Sequence, residues 1–386
     1  MPEFDRRPRR NSRNRKFQSG GQRVAVKRKE NFAVSILSGL FPWKGDKVGD
    51  VVRKIILLAS LVLLIWAGMQ IVDFYILRDL RTDRERQGLV DIRNSYAGEE
   101  FFEMNISQLG AASDLTTDAI RVIGEYWEFY EMNNDFVGWL EIYPIVQYPV
   151  YQADDNEFYL NHNHEKWPTT NGTIFADWEG RFTPYGRPHN TIIYGHNLQT
   201  KNLFQPLLNY RPNNTSSMDS FEFLKLNPTI VFDTLYERGN YKIFGVIQTN
   251  VRRTQGDVFD YWNYVYFRNK AHFDSFAAGV LDRSMYYTNV DLEYGDEILM
   301  LSTCDFSMFA NGADSSIRLV VVARRVRDNE FAGFTPEEID AFIDNRGVNE
   351  HGQLNRKMFE SYYDLRHPAG WAGRNWDLNY IKDFEG

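Results

Sequence analysis

Short apolar stretches separated by polar loops fill the chain from about residue 136 to 326 and predict a β-rich body. The predicted strands are residues 137–142, 145–150, 173–176, 191–194, 229–236, 241–249, 297–303 and 317–326. Pro144 and Pro149 indicate that 145–150 is an edge strand, because proline cannot donate to a strand ladder. A turn at 238–240 would join two of the strands as a hairpin. Many short strands with few helices favour a closed barrel or a sandwich.

Apolar residues spaced on one helical face predict a helix over residues 116–132, with Asp114 as a possible cap. A second helix is predicted over 271–285, just before the last two strands. Both helices have the composition of elements that pack on the body through one apolar face.

The chain changes character after residue 327. Thr335 and Glu338 form the pattern of a capping box, with Pro336 at the first helical position, and predict a helix that ends near Gly347. A further helix is predicted around residues 354–363. We interpret residues 328–386 as a helical extension packed on the body, and a partner-docking element is the alternative.

The apolar run at residues 55–72 contains no charged residue. Eighteen helical residues span roughly 27 Å at ~1.5 Å per residue, close to the thickness of a hydrocarbon core. Arg53 and Lys54 precede the run, while Trp66 and Tyr75 lie toward its end, as interfacial anchors would. We interpret the run as one membrane span, with a buried core helix as the alternative. More than 50 residues precede it, which does not fit a cleaved signal peptide.

Charge divides unevenly along the chain. Residues 1–54 carry a net charge of +10 and residues 55–386 carry −18, which together give the net charge of −8. A basic segment before a span predicts a cytoplasmic amino terminus that touches anionic lipid and a body outside the cell. A nucleic-acid-binding arm is the less favoured alternative, and residues 1–30 have the composition of a disordered segment.

These patterns predict five regions. They are a basic cytoplasmic tail at 1–54, a transmembrane helix with its interface at 55–77, an extracellular stalk or linker at 78–114, the β-rich domain at 115–327 and the extension at 328–386.

A single cysteine, Cys304, excludes an intramolecular disulfide framework and argues against a zinc site built on thiolates. No carboxylate cluster accompanies it in the sequence, so we expect neither a metal nor another cofactor. An aromatic content of 15% agrees with a β-rich fold, since aromatic side chains fit pleated surfaces.

Three residues with complementary chemistry stand at predicted strand ends. Cys304 ends one apolar strand, His196 follows another through Gly195, and Arg318 begins a third. A thiol, an imidazole and a guanidinium could act as nucleophile, acid/base and anion stabiliser. On this chemistry alone, a buried inert cysteine is an equally good interpretation.

The order of several motifs resembles the sortase family of cysteine transpeptidases, most closely class B. The motifs are Leu301-Ser302-Thr303-Cys304 followed at fourteen residues by Arg318, Tyr194-Gly195-His196-Asn197, Asn134 to Ile142, Asn156 to Leu160, and Gly172 to Asp177. The resemblance covers roughly residues 115–327. It implies a mostly β, eight-stranded sortase-type barrel with helices before it and one inserted before the last two strands.

The resemblance also implies a role for each matching residue. Cys304 would attack a sorting-signal carbonyl of Pro-x-Thr type, His196 would be the acid/base, and Arg318 would hold the substrate and its oxyanion. The signal groove would be lined by Asn156, Leu160, Tyr194, Ser302 and Asp305. The thioester would pass to an amine of the cell-wall peptidoglycan. A pilin lysine is the alternative acceptor, and a non-catalytic surface scaffold is the alternative from a different class.

Overall fold

The computed structural model describes residues 39–42, 44–73, 78–96, 98, 101–105, 119–198, 200–211, 218–252, 258–306 and 317–345. The chain divides into two compact units, Met1–Tyr75 and Ile76–Gly386. The segment at 1–30 predicted to be disordered, Asp114, Gly347 and the helix predicted at 354–363 lie outside the described residues. The five regions proposed from the sequence stay a prediction.

The first unit contains helix α1 (Val48–Val72), whose most apolar stretch has a mean hydropathy of 2.5. Among the described residues it is the one helix long and apolar enough to cross a membrane. Most of its large apolar side chains are exposed. Near its start, Lys54 is paired with Asp46 at 2.6 Å between Nζ and Oδ2. The helix is therefore a candidate span, and its orientation stays a prediction.

The second unit is built on β-strands with helices on its outside. The strands are β1 (Phe101–Asn105), β2 (Ala119–Ile123), β3 (Phe136–Ile142), β4 (Val146–Tyr151), β5 (Phe175–Ala176), β6 (Asn190–Tyr194), β7 (Thr229–Thr234), β8 (Asn240–Asn250), β9 (Tyr286–Tyr287), β10 (Ile298–Cys304), β11 (Ile317–Arg325) and β12 (Ile343–Asp344). The helices are α2 (Arg78–Ser95), α3 (Trp127–Met132), α4 (Ser220–Leu226), α5 (Lys270–Leu281) and α6 (Pro336–Asp340).

Eight strands close into a barrel in the order β10-β11-β8-β7-β3-β4-β5-β6. The pairs β6·β10 and β4·β5 are parallel, and the other pairs described between neighbours are antiparallel. The predicted hairpin is confirmed as β7 and β8. The helix predicted at 271–285 is confirmed as α5, which ends earlier, at Leu281. The barrel rather than the sandwich is the correct alternative.

The prediction of an edge strand at 145–150 is wrong, because β4 lies between β3 and β5 in the closed barrel. Strand β5 pairs with β4 only at Tyr151↔Phe175. Strand β5 does not extend as far as Pro149. The missing N–H of Pro149 therefore costs no hydrogen bond to β5.

Apolar side chains form three layers, one inside the barrel and two on its outer surface. One fills the interior and includes residues of all eight barrel strands. The second lies on the outer faces of β6, β8, β10 and β11, under α5 and the aromatic residues of 259–267. The third lies outside β3, β4 and β5, under α2, β2 and α3. The partly buried Tyr194 packs against both outer layers.

The helix predicted over 116–132 forms only in its second half. Residues 119–123 are strand β2, which pairs with β1, and α3 begins at Trp127 after a short 3-10 turn. Val122 and Ile123 are buried in the third layer. Strand pairing and burial outweighed the helical spacing of the apolar residues, because propensity is weaker than tertiary packing.

The described part of the extension closes one end of the barrel. The predicted capping box of Thr335 and Glu338 is present and starts α6, which ends at Asp340 rather than near Gly347. Phe342 then joins the interior layer, and β12 pairs with β9. Residues 328–345 thus pack on the body, as the favoured interpretation predicted.

Candidate active site

Cys304 lies between two neighbouring strands at the end of β10. On one side, Cys304 is directly opposite Arg318 of the antiparallel strand β11. Directly opposite residues in antiparallel strands have their Cβ atoms only about 4.5–5.5 Å apart. The barrel therefore brings the thiol and the guanidinium together on one face, although fourteen residues separate them along the chain.

His196 comes alongside Cys304 from the other neighbouring strand, β6. The parallel register pairs Ser302 with Tyr194. Beyond that pair, Gly195 N donates to the Ser302 carbonyl at 3.2 Å, and the Thr303 hydroxyl donates to the Gly195 carbonyl at 2.8 Å. These bonds continue the alignment of the two strands, which brings His196 level with Cys304.

Asn197 secures the same junction from the next position. Its Nδ2 donates to the Cys304 carbonyl at 3.0 Å. The backbone after His196 turns back at once, since Phe204 N donates to the His196 carbonyl at 3.1 Å and Asn197 bridges to Leu203. Both flanks of His196 are thus held by hydrogen bonds.

The imidazole of His196 has a fixed partner on the opposite wall. Its Nε2 lies 2.9 Å from the Leu160 carbonyl oxygen. A carbonyl oxygen only accepts, so Nε2 carries a proton in this arrangement and Nδ1 is the nitrogen that can gain or lose one. Gly172 allows the close approach, because a Cβ there would lie 3.0 Å from His196 Cδ2 and 2.7 Å from the Leu160 oxygen.

Cys304 is half-buried and has no disulfide partner. Burial raises the pKa of its thiol, Arg318 opposes that rise, and Asp305 adds to it. Burial disfavours the thiolate because a charge is poorly solvated there, whereas a nearby cation favours it. The resting thiol is therefore mainly protonated at neutral pH, and the neighbouring Arg318 is the group that assists ionisation.

Two of the predicted groove residues share one buried acceptor. Tyr194 OH and Asn156 Nδ2 each donate to Oδ2 of Asp177 at 2.9 Å. Asp177 is 5% exposed. Burial, with the nearby Tyr261 and Asp177, raises the pKa of Tyr194 well above its usual range, so it remains a hydrogen-bond donor. Sequence reasoning missed this role of Asp177, although the residue ends the motif at 172–177.

A second missed residue lies beneath Cys304. Tyr261 is fully buried, and its hydroxyl is 2.8 Å from Ser302 Oγ. Burial is the main cause that raises the pKa of Tyr261 to about 12, while Ser302 and Arg318 oppose it. Ser302 itself is buried under this contact. The one sequence signal was the aromatic content of 259–267, which is equally typical of a structural layer.

Asp305 does not join the other predicted groove residues. It follows Cys304 and points to the opposite face, as strand alternation requires. It is 0% exposed, accepts from Gln248 Nε2 and pairs with Arg211 at 3.2 Å between Oδ2 and Nε. Leu160, by contrast, reaches the site through its carbonyl. The structure therefore brings His196, Cys304 and Arg318 together with Tyr194, Asn156, Leu160 and Ser302, and buries Asp305 behind them.

Comparison with known proteins identifies sortases as relatives. No family model matches the chain. The chain is 32% identical over 186 residues to Sortase B of Listeria monocytogenes, which covers 48% of this chain and 69% of that protein. It is 26% identical over 200 residues to Sortase B of Staphylococcus aureus, which covers 51% of this chain and 72% of that protein. A solved Staphylococcus aureus sortase B–substrate complex matches 66% of this chain and 98% of its own, with 21% identity and a TM-score of 0.49.

Proposed function

Because this chain belongs to the sortase family, closest to class B, and is a cysteine transpeptidase of that class, we propose that Cys304 cleaves a C-terminal sorting signal and passes the protein to a peptidoglycan amine. The observation that carries this proposal is the strand register. It sets Cys304 opposite Arg318 on one side and level with His196 on the other.

In the first half-reaction, the thiol proton of Cys304 passes to Nδ1 of His196, and the resulting thiolate attacks the carbonyl carbon of the substrate threonine. A tetrahedral oxyanion forms, the C–N bond breaks, and the leaving amine takes a proton from His196. The Nε2–H of His196 stays with the Leu160 carbonyl, so Nδ1 is the nitrogen that transfers the proton. The product is a thioester between Cys304 and the threonine carbonyl.

In the second half-reaction, an acceptor amine attacks the thioester carbon. His196 takes the proton that the amine loses, the C–S bond breaks, and the thiolate is restored. The balance needs no oxidant, reductant or further reactant, because one amide is exchanged for another.

Arg318 is suited to the developing charge. A guanidinium stays protonated at any relevant pH and offers donors in a rigid, planar arrangement. Its Nη1 contacts the Ile317 carbonyl at 3.2 Å, which orients the head group along the strand end. We propose that Arg318 binds the substrate threonine and stabilises the oxyanion. We propose that Tyr194 and Asn156, both hydrogen-bonded to Asp177, form the floor of the signal groove.

We further propose that α1 anchors the enzyme in the cell membrane, with the amino terminus inside and the barrel outside. The apolar helix and the basic residues before it support this topology. Sortases are cell-envelope enzymes, and an outward catalytic unit would meet both the secreted substrate and the wall.

A peptide-library assay tests the proposal. The full chain in detergent micelles is incubated with fluorogenic peptides that contain a Pro-x-Thr core, with and without a peptidoglycan-stem amine or a lysine peptide as acceptor. Wild type should cleave a subset, and Cys304→Ala should abolish both cleavage and thiol labelling. A folded wild type that cleaves none of the peptides would favour the scaffold alternative, and preference for the lysine peptide would favour a pilin acceptor.

Arg318→Lys separates geometry from charge in the same assay. An ammonium keeps the charge but loses the planar donors, so turnover should fall by roughly 10²–10³-fold, the scale of a lost oxyanion donor. Turnover close to that of wild type would reduce Arg318 to a structural residue.

A further inference from the structure

Helix α2 (Arg78–Ser95) is packed on the catalytic unit. Leu89 and Val90 are 6% and 8% exposed and belong to the third apolar layer, together with Tyr159 and Trp139. Arg93 lies over the Trp139 ring at 5.9 Å. The helix therefore has a fixed position relative to the wall that carries Leu160.

The first polar contact of α2 is with the loop that follows His196. Asn202 Nδ2 donates to Thr82 Oγ1 and to Asp83 Oδ1, each at 3.1 Å. Its Oδ1 accepts from Tyr148 OH at 3.2 Å. Asn202 is 5% exposed, so this amide links α2, the loop and β4 in a site largely shielded from water.

The loop needs such support because its backbone is strained. Lys201 and Leu203, on either side of Asn202, have φ values of 60° and 54°. Residues with a Cβ avoid this left-handed region, and they remain there only where neighbouring structure holds them. The contacts of Asn202 with α2 and β4 hold this turn, together with the backbone bonds that close it on His196.

The second polar contact of α2 is with the segment on the other side of His196. Glu85 Oε1 lies 3.2 Å from Nδ1 of His164. The His164 carbonyl accepts from Asn133, which also donates to the Tyr159 hydroxyl at 2.8 Å. Tyr159 directly precedes Leu160, whose carbonyl holds the imidazole of His196.

Both segments touched by α2 thus set the position of His196. The loop at 197–204 returns to the His196 carbonyl through Phe204 N. The segment at 158–172 supplies the Leu160 carbonyl and the glycine against which the imidazole lies. We propose that α2 is a positioning element for His196, acting through the contact of Thr82 and Asp83 with Asn202 and through the contact of Glu85 with His164. This inference rests on the proposed acid/base role of His196.

A paired substitution on α2 tests the inference without altering the loop. Thr82→Val with Asp83→Ala removes the two acceptors that α2 offers Asn202 and leaves the Thr200 carbonyl, whereas Thr82→Ser with Asp83→Asn keeps an oxygen at each position. Gln87→Ala is the matched control on the same helix, because Gln87 is exposed and bonds to Asp91 within α2. Phe342→Leu, at the other end of the barrel, controls for a general loss of stability. All variants use the full chain, since a fragment that starts at residue 90 would lose the contacts in question.

The first readout is the kinetics of the peptide selected by the library. Thr82→Val with Asp83→Ala (the Val/Ala variant) should lower kcat about tenfold with KM little changed. The reason is that a displaced acid/base loses part of its 10²–10⁴-fold contribution to the rate. The Ser/Asn variant should restore kcat. An unchanged kcat, or an equal fall in Gln87→Ala or Phe342→Leu, would overturn the inference.

The second readout does not need a substrate. In protein labelled with ¹⁵N at histidine, the Nε2–H signal of His196, assigned by its loss in His196→Ala, reports the bond to the Leu160 carbonyl. Its exchange with water should accelerate in the Val/Ala variant and not in the controls. Slow exchange retained in that variant would contradict the inference even if no peptide were cleaved, so the two proposals fail separately.

Discussion

Replacing Phe342 by alanine is expected to destabilise the catalytic unit although the residue lies beyond the last barrel strand. Its side chain is 6% exposed and belongs to the interior layer of the barrel. It also meets Phe334 edge to face, with ring centroids 5.0 Å apart at 84°. Asn345 fixes the chain beyond it, since Asn345 N donates to the Met285 carbonyl at 2.9 Å.

The magnitude follows from this burial. Truncating a buried phenylalanine to alanine costs about 3–5 kcal/mol, which includes the cavity that remains. A natural domain is stable by only about 5–15 kcal/mol, so the variant should lose a large part of its folding free energy. Phe334, which Phe342 contacts, lies under Lys242, and Lys242 pairs through Arg324 with the start of β10 at Ile298. Turnover of the molecules that stay folded should be unchanged, because six residue steps, roughly 20 Å, separate Ile298 from Cys304.

Urea unfolding followed by tryptophan fluorescence measures the loss, and the peptide assay below the transition measures turnover. Phe331→Ala is the matched control in the same segment, because Phe331 is 64% exposed and should change stability by less than about 0.5 kcal/mol. If Phe342→Ala cost no more than Phe331→Ala, residues 328–345 would not be part of the barrel core.

Three further outcomes are expected. Gly172→Ala should lower both stability and turnover, since its φ is 60° and the new Cβ would press on His196; an active, stable variant, measured by melting and peptide cleavage, would refute this. Alkylation of Cys304 by iodoacetamide should accelerate up to a pH above the usual cysteine value of about 8.5, because burial raises its pKa. Arg318→Ala should shift that profile further to alkaline pH, and a shift to acid pH would contradict the assigned electrostatics. The hydrogen bond from Arg324 lowers the pKa of Glu330 despite partial burial. The ionised Glu330 therefore stabilises the folded state fully above its unfolded pKa of about 4.3. This stabilisation is lost as the pH falls through the lower pKa of the folded state. Glu330→Gln should therefore make the melting temperature fall less steeply toward acid pH.

Local patterns in the sequence accounted for much of the fold. Short apolar runs located β3, β7, β8, β10 and β11 to within a few residues, because strands that lie between an inner and an outer apolar layer are buried on both faces. The capping box at Thr335 was also predicted correctly, since its hydrogen bonds join residues only three positions apart. The candidate triad was recognisable because each member ends or begins an apolar run, and its motifs match a known family.

Errors arose where a distant part of the chain decides the outcome. Residues 119–123 have helical spacing, but pairing with β1 made them a strand. Pro149 looked like the mark of an edge strand, yet β4 lies inside the closed barrel. The barrel tolerates the proline because β5 is too short to pair with β4 at that position. The groove role assigned to Asp305 from its position in a motif stays a prediction, and the structure places its carboxylate against Arg211 and Gln248.

The sequence by itself determined which residues could react and which segments could form strands. Only the tertiary structure decided that β6 runs parallel beside β10, so that His196 lies level with Cys304 although 108 positions of chain separate them, and that Asp177, Tyr261 and α2 support this arrangement. The physical reason is that apolar runs and capping boxes are formed by near neighbours, whereas strand order and register are set by the burial of whole faces that no local pattern encodes.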